Sequence, residues 1–245
     1  MGSARWAFSC GTWTPGRAQW LLAARCVQPE EKLRIGQFIF TRDAKAAMAG
    51  RLMIRKVIAE KLKIQWDEIV LKRTAKGKPF LLNDYRSSFP AFNFNVSHQG
   101  NYAVLAAESG LQVGIDVMKT DFPGSGSIEE FFRIMNRQFT DTEWKSIKSM
   151  ESEWTQLDTF YRHWETRLDD LHHVAVAIGR PDGFGDHHCN LMHEGDADRI
   201  KKQFTLLSFD DLVASAVPMY PEDPPYWESF ISKQETPSRQ GAHST

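Results

Sequence analysis

Phe92-Asn93-Phe94-Asn95-Val96-Ser97-His98-Gln99-Gly100-Asn101-Tyr102-Ala103-Val104-Leu105-Ala106-Ala107 is the stretch on which the architecture turns. Apolar and polar residues alternate from Phe92 to His98, the period of a strand that buries one face, here Phe92, Phe94 and Val96. Gln99-Gly100-Asn101 can turn the chain, and Tyr102–Ala107 reads as a second strand. Val113-Gly114-Ile115-Asp116-Val117 alternates again and places Asp116 opposite the apolar side. Three strands so close in sequence predict an antiparallel meander.

Upstream, the chain reads as helical from Asp43, a plausible N-cap. Ala47, Ile54, Val57, Ile58 and Leu62 recur at helical spacing, with Arg51, Arg55, Lys56 and Lys63 between them; this predicts a core helix with a solvated basic face. Downstream, Ser127 with Glu130 and Thr140 with Glu143 read as capping boxes. Trp154, Leu157, Tyr161 and Trp164 have the spacing of a third helix. Strand-like runs return at Val174–Ile178, Phe204–Phe209 and Leu212–Val217, and Gln234–Thr245 reads as a polar tail. The fold class is α+β, with two sheet-containing lobes.

The 245 residues carry a formal net charge of −1, which conceals an asymmetry. Residues 1–80 hold 16 Lys/Arg against 6 Asp/Glu, and the remainder holds 14 against 25, so a basic first third suggests an anionic ligand. No apolar run is long enough for a membrane span, and the start lacks an apolar signal core. Cys10, Cys26 and Cys189 are sparse and odd in number, which suggests a reducing compartment. The expectation is a soluble, cytosolic monomer without a membrane partner. No nucleic-acid module is readable either.

Three places could carry chemistry. Arg73-Thr74-Ala75-Lys76-Gly77-Lys78 sets cations beside a glycine, as phosphate binding requires, although a solvated basic loop has the same composition. Ser97-His98 leaves a strand end with two groups able to donate to phosphate. The pair could equally be a nucleophile and base, or an ordinary polar strand end; no G-x-S-x-G elbow accompanies it. Asp116 is suited to magnesium, which takes one or two protein carboxylates and fills its other positions with water and phosphate, or is simply a hydrogen-bonded aspartate. His172-His173, His187-His188-Cys189 and His193 fit no zinc-finger spacing and are expected to be surface or strand histidines.

Taken in order, Arg73–Pro79, Phe94–His98 and Gly114–Val117 resemble the K-G-K-P-like loop, F-N-[IV]-S-H strand and G-[IV]-D strand of the Sfp-type 4′-phosphopantetheinyl transferases. The wider text is similar to the animal branch of that family. The resemblance implies a pseudo-dimer of two α+β lobes with coenzyme A between them, expected here over residues 1–112 and 113–232, with 233–245 as a frayed tail. It implies that Arg34, Arg73, Thr74, Ala75, Lys76, Gly77, Lys78, Asn95, Val96, Ser97 and His98 bind the coenzyme, and that Asp116 holds Mg²⁺. The implied reaction moves 4′-phosphopantetheine from coenzyme A to a serine of acyl or peptidyl carrier domains. Acyl carrier protein, fatty acid synthase and aminoadipate-semialdehyde dehydrogenase are the implied partners, in fatty acid biosynthesis and lysine catabolism.

One signature is missing. The family carries W-x-x-K-E-[SA]-x-x-K on a second-lobe helix, whose Glu completes the metal site and helps to activate the serine. Here Trp164 runs straight into Glu165-Thr166-Arg167-Leu168-Asp169, and Lys-Glu occurs nowhere in the chain. A break this abrupt implies an internal deletion that truncates the second lobe. Glu165 is out of helical phase as a substitute by about two or three residues. Met118 also stands where many bacterial members have an acid. The expectation is an impaired transferase with no assignable catalytic residue; the alternative is a non-catalytic form that binds coenzyme A or a carrier protein.

Overall fold

The structure is a computed structural model that describes residues 3–83, 92–119, 127–134, 136, 141–150, 166–179 and 203–235. Strand β1 (Ala4–Ser9) precedes helices α1 (Arg17–Arg25), α2 (Pro29–Gly36) and α3 (Thr41–Leu62). A hairpin of β2 (Leu71–Arg73) and β3 (Pro79–Leu81) leads to strands β4 (Phe92–Gln99), β5 (Tyr102–Ser109) and β6 (Gln112–Lys119). Next come α4 (Ile128–Ile134), α5 (Asp141–Lys148), β7 (Thr166–Asp169) and β8 (His172–Gly179), then β9 (Thr205–Leu207), α6 (Phe209–Val213) and α7 (Pro224–Ile231).

The alternation around Phe92 becomes β4, the edge strand of a sheet ordered β4-β5-β1-β9. Residues paired across a ladder share a face. Phe94, Val96 and His98 therefore lie with Ala107, Leu105 and Ala103 of β5, and with Ala4, Trp6 and Phe8 of β1. The 22-residue α3 packs over the sheet and buries Met48, Leu52, Met53, Ile54, Val57 and Ile58 completely. Burial of each such side chain stabilises the fold by about 1.5–3 kcal/mol.

The expected meander does not form. β5 has β4 on one edge and β1 on the other, so no edge remains for β6. β6 instead pairs antiparallel with β8 in a second sheet, ordered β6-β8-β7. Val113, Ile115, Val117, Val174 and Val176 of that sheet pack on Ala7, Val104 and Ala106, small residues on the first sheet's opposite face that let the second sheet approach.

Other sequence expectations change for identifiable reasons. The helix starts at Thr41 with Phe40 as N-cap, so Asp43 sits in its first turn. Its basic face is solvated only at Lys63: Arg55 is 1% and Lys56 7% exposed, because protein covers α3 beyond the sheet. Arg55 donates to the Trp66 carbonyl and lies over the Trp66 ring, while Lys56 pairs with Glu60 and lies over Trp6. Leu212 and Val213 are helical, since Ser208 and Asp211 form a reciprocal capping box that starts α6. The Ser127 hydroxyl does accept the Glu130 N–H, at 3.2 Å. Thr140 and the stretch from Trp154 to Trp164 lie outside the described residues.

The residues from β9 to α7, expected in a second lobe, join the first sheet and its core. β9 pairs in parallel with β1, and Leu207, Phe209, Leu212 and Phe230 join the core beneath α3. The Phe230 ring stacks on the fully buried Trp20 at 3.8 Å. Lys233 and Gln234, at the expected start of a frayed tail, bond to the carbonyls of Gly36, Phe38 and Ile39. Among the described residues no helix is long and apolar enough to cross a membrane.

Candidate functional site

The basic turn is a hairpin tip between β2 and β3. Thr74 N–H donates to the Lys78 carbonyl, Gly77 N–H to the Thr74 carbonyl, and Lys78 N–H to the Thr74 hydroxyl. Gly77 has φ +81°, a left-handed conformation that favours glycine, and the space in front of its Cα is open. Thr74, Ala75, Lys76 and Lys78 are exposed there. Arg73 is tied into the structure through three of its five N–H groups: Nε and Nη2 donate to the two carboxylate oxygens of Glu31 at 3.0 and 2.7 Å, and Nη1 donates to the Gly77 carbonyl at 2.7 Å. It thus clamps the turn to α2.

Glu31 also draws in a residue that the sequence reading had left on a solvated face. Arg51 Nε lies 2.9 Å from the Glu31 oxygen that Arg73 Nη2 also contacts. Burial is the main cause that pushes the Arg51 pKa down to about 10; Arg73 and Arg34 add to it, and Glu31 opposes it. Arg34, in the last turn of α2, is exposed beside this group. One signal could have revealed Arg51: it is the sole charge between Ala46 and Ile54, a run too apolar to face water.

His98 belongs to the same side. The residue is exposed at the strand end, and partial desolvation by the protein beside it holds its pKa below the ordinary value; Asp43 works against this and Arg51 adds to it. Val96 packs against the core on that face and approaches Gly50, whose added Cβ would meet Val96 Cγ1 at 3.2 Å. Strand alternation puts Ser97 on the other face, so Ser97 and His98 do not act as one unit.

On that other face, the polar side chains of β4 hold the second sheet. Asn93, Asn95, Ser97 and Gln99 accept the N–H groups of Val113, Ile115, Val117 and Lys119 at 3.1, 3.0, 3.3 and 2.8 Å. Alternate side chains on a strand face recur about every 6.6 Å, the same interval as alternate N–H groups along a strand edge, so the two series match without distortion. Each bond contributes about 0.5–1.5 kcal/mol, and leaving such an N–H unpaired costs about 1–3 kcal/mol. Asn95 and Ser97, read as phosphate contacts, are engaged in this ladder.

Asp116 sits between two rungs. Its Oδ1 accepts the Ser97 hydroxyl at 2.5 Å and the Val117 N–H at 3.0 Å, while the residue as a whole is exposed. A carboxylate fixed through one oxygen and open to solvent fits a hard cation that completes its shell with water and phosphate. Among the described residues no group of three or more His, Cys, Asp or Glu side chains converges as a metal site. His172 is fully buried: Nε2 accepts the Asn101 N–H at 3.2 Å and Nδ1 lies 2.8 Å from Asp169 Oδ1, so it props the β4–β5 turn. Trp164 and Glu165 lie outside the described residues.

Residues 11–110 match the family described as 4′-phosphopantetheinyl transferase, N-terminal. The chain is 52% identical to the L-aminoadipate-semialdehyde dehydrogenase-phosphopantetheinyl transferase of Xenopus laevis, over 98% of this chain and 95% of that protein. It is 50% identical to the Homo sapiens protein of the same name, over 100% and 96%. The 4′-phosphopantetheinyl transferase Sfp of Bacillus subtilis is 27% identical over 63% of each chain. The frog alignment spans 295 positions, 50 more than the 245 residues here, so at least that many aligned positions are gaps in this chain.

Proposed function

The chain belongs to the 4′-phosphopantetheinyl transferases, a family of enzymes, and from that premise we propose that it acts on coenzyme A and serine-bearing carrier domains, with transfer impaired in this form. The reading is supported above all by the end of β4, where an arginine cluster and Asp116 flank opposite faces of one strand. A carrier serine oxygen would attack the β-phosphorus of coenzyme A. As the new P–O bond forms, the bond from that phosphorus to the bridging oxygen breaks, and 3′,5′-ADP departs with the electron pair. The serine proton passes to a base, which the family places in its Lys-Glu segment.

Arg34, Arg73, Lys76, Lys78 and His98 would hold the coenzyme's phosphates, and Asp116 would hold Mg²⁺, with Ser97 fixing the orientation of its carboxylate. The bound ion would neutralise charge on the pyrophosphate oxygens. Positioning and charge neutralisation carry most of such a reaction. The full architecture would be a pseudo-dimer of lobes with a shortened second lobe, in a cytosolic monomer. Aminoadipate-semialdehyde dehydrogenase, which the relatives' names contain, and acyl carrier proteins are the proposed acceptors.

Impairment rests on the absent Lys-Glu segment and on the alignment gaps. Those gaps also favour a second reading, a binder of coenzyme A or carrier that performs no transfer. Labelled phosphopantetheine transfer to an acyl carrier protein with Mg²⁺ separates the cases. Slow turnover supports impairment, no turnover with intact coenzyme A binding supports the second reading, and turnover equal to that of the frog relative would refute both.

A further inference from the structure

We propose that His172 is a positioning residue, one that holds the β4–β5 turn so that His98 and Asp116 meet the same bound coenzyme; this rests on the coenzyme A reading. His172 stands on β8 as a strand histidine, yet its side chain is only 1% exposed. A polar ring placed so deep needs a partner on each nitrogen. Nε2 accepts the Asn101 N–H at 3.2 Å, so the ring proton sits on Nδ1, which donates to Asp169 Oδ1 at 2.8 Å. The carboxylate is itself held, since it accepts the Leu171 N–H at 2.8 Å and the Tyr102 hydroxyl. The Tyr102 ring meets the imidazole edge to face, with centroids 4.9 Å apart.

The place of the ring gives it a part beyond packing. Gly100 has φ +59°, and a Cβ added there would meet His172 Nε2 at 2.5 Å, so the turn backbone lies directly on the imidazole. The Asn101 carbonyl accepts the Gly11 N–H at 3.0 Å, which holds Asn101 from the other side. His98 lies on β4 just before this turn, and His172 is paired with Lys119 of β6, the strand that carries Asp116. One imidazole therefore ties the strand end beside His98 to the sheet that carries Asp116. Its bond is directional and acts on turn backbone, so its loss lets the turn shift without removing apolar contacts.

The test is calorimetry on the full chain with coenzyme A, in the presence and absence of Mg²⁺, because the spacing of the two sides sets how strongly one ligand aids the other. Wild type is expected to bind coenzyme A about 10–100-fold more tightly with Mg²⁺. His172→Asn keeps a group near the Nδ1 position and has none at Nε2; the gain should fall to about 1–3-fold, with metal-free affinity within about twofold of wild type. His172→Gln places an oxygen near the Nε2 position and should keep the gain within about threefold of wild type. Nitrogen-15 NMR of the wild-type ring should show a bare Nε2, and this measurement with the Gln variant carries the test if the Asn variant loses its far-UV circular dichroism. A Gln variant that gains no more than about threefold, a folded Asn variant with the full gain, or a proton on Nε2 overturns the proposal, as does a wild-type affinity that Mg²⁺ leaves unchanged. Wild type that binds no coenzyme A at millimolar concentration overturns the coenzyme A reading as well.

Discussion

Replacing Glu31 by Gln probes the centre of the cationic group. The carboxylate is 9% exposed and answers two guanidiniums, Arg73 at 22% and Arg51 at 13% exposure. Removing one partner from a buried ion pair costs about 3–5 kcal/mol, chiefly because the opposite charge is left uncompensated. Glutamine can still accept one bond, and Arg73 reaches some water, so the expected loss is about 2–4 kcal/mol. That is a large share of a typical margin of about 5–15 kcal/mol, and at about 2–4 °C per kcal/mol it lowers the melting temperature by roughly 4–16 °C. An anion should then take the place of the lost carboxylate. Stabilisation by a ligand at 100 times its dissociation constant is about 2.7 kcal/mol, so 3′,5′-ADP should raise the variant's melting temperature more than that of wild type. Thermal melts with and without the nucleotide read both effects. A variant that melts within 1 °C of wild type, or gains no more from the nucleotide, would refute the view that Glu31 balances these arginines.

Ser97→Ala removes the hydroxyl that fixes Asp116 and accepts Val117 N–H. Calorimetry should show weaker Mg²⁺ binding, and urea melts a loss of about 1 kcal/mol; unchanged Mg²⁺ affinity would mean that Ser97 does not orient the carboxylate. The His98 pKa lies below the ordinary value, so the folded state disfavours its protonated form. Its contribution to stability is present above the ordinary pKa and is lost as pH falls through the folded one. A phosphate beside it reverses the preference, so 3′,5′-ADP should bind more tightly as pH drops from 8 to 6.5, and an NMR titration of the ring should move upward with ligand; His98→Ala with the same pH slope would exclude it. Burial raises the thiol pKa values of Cys10 and Cys26 to about 12 and 11, so a thiol reagent at pH 8 should modify neither until the protein is unfolded.

The strands of both sheets were legible where the period of two was strong, as at Phe92–Gln99 and Val113–Val117, because one buried face imposes it. Asp116 was likewise placed correctly opposite Ile115 and Val117. Pairing was not legible. Nothing local says that β1, about a hundred residues earlier, occupies the edge of β5, or that the three residues of β9 complete the same sheet. The polar residues of β4 were read as ligand contacts because their chemistry allows it. Their use as rungs becomes visible only when β6 is set beside them. Arg51 was missed for a related reason: helical spacing says which residues share a face, not whether protein or water lies opposite.

The order of the chain bears on what a damaged second lobe would cost. The segment from β9 to α7 follows the second sheet yet fills the core between the first sheet and α3, where Phe230 meets Trp20 and Leu212 is fully buried. The arginines stand on α2, α3 and the β2–β3 hairpin, all outside the second sheet. Asp116 differs, because it stands on β6, and its position relative to His98 depends on the four side-chain rungs. Loosening the second sheet should therefore weaken the metal side of the site before the phosphate side. Asn95→Ala, which removes one rung on the face of β4 turned away from α3, separates the two. It should lower Mg²⁺ affinity while leaving the affinity for 3′,5′-ADP without metal within about twofold. Equal loss of both would show that the two sides of β4 are one cooperative unit.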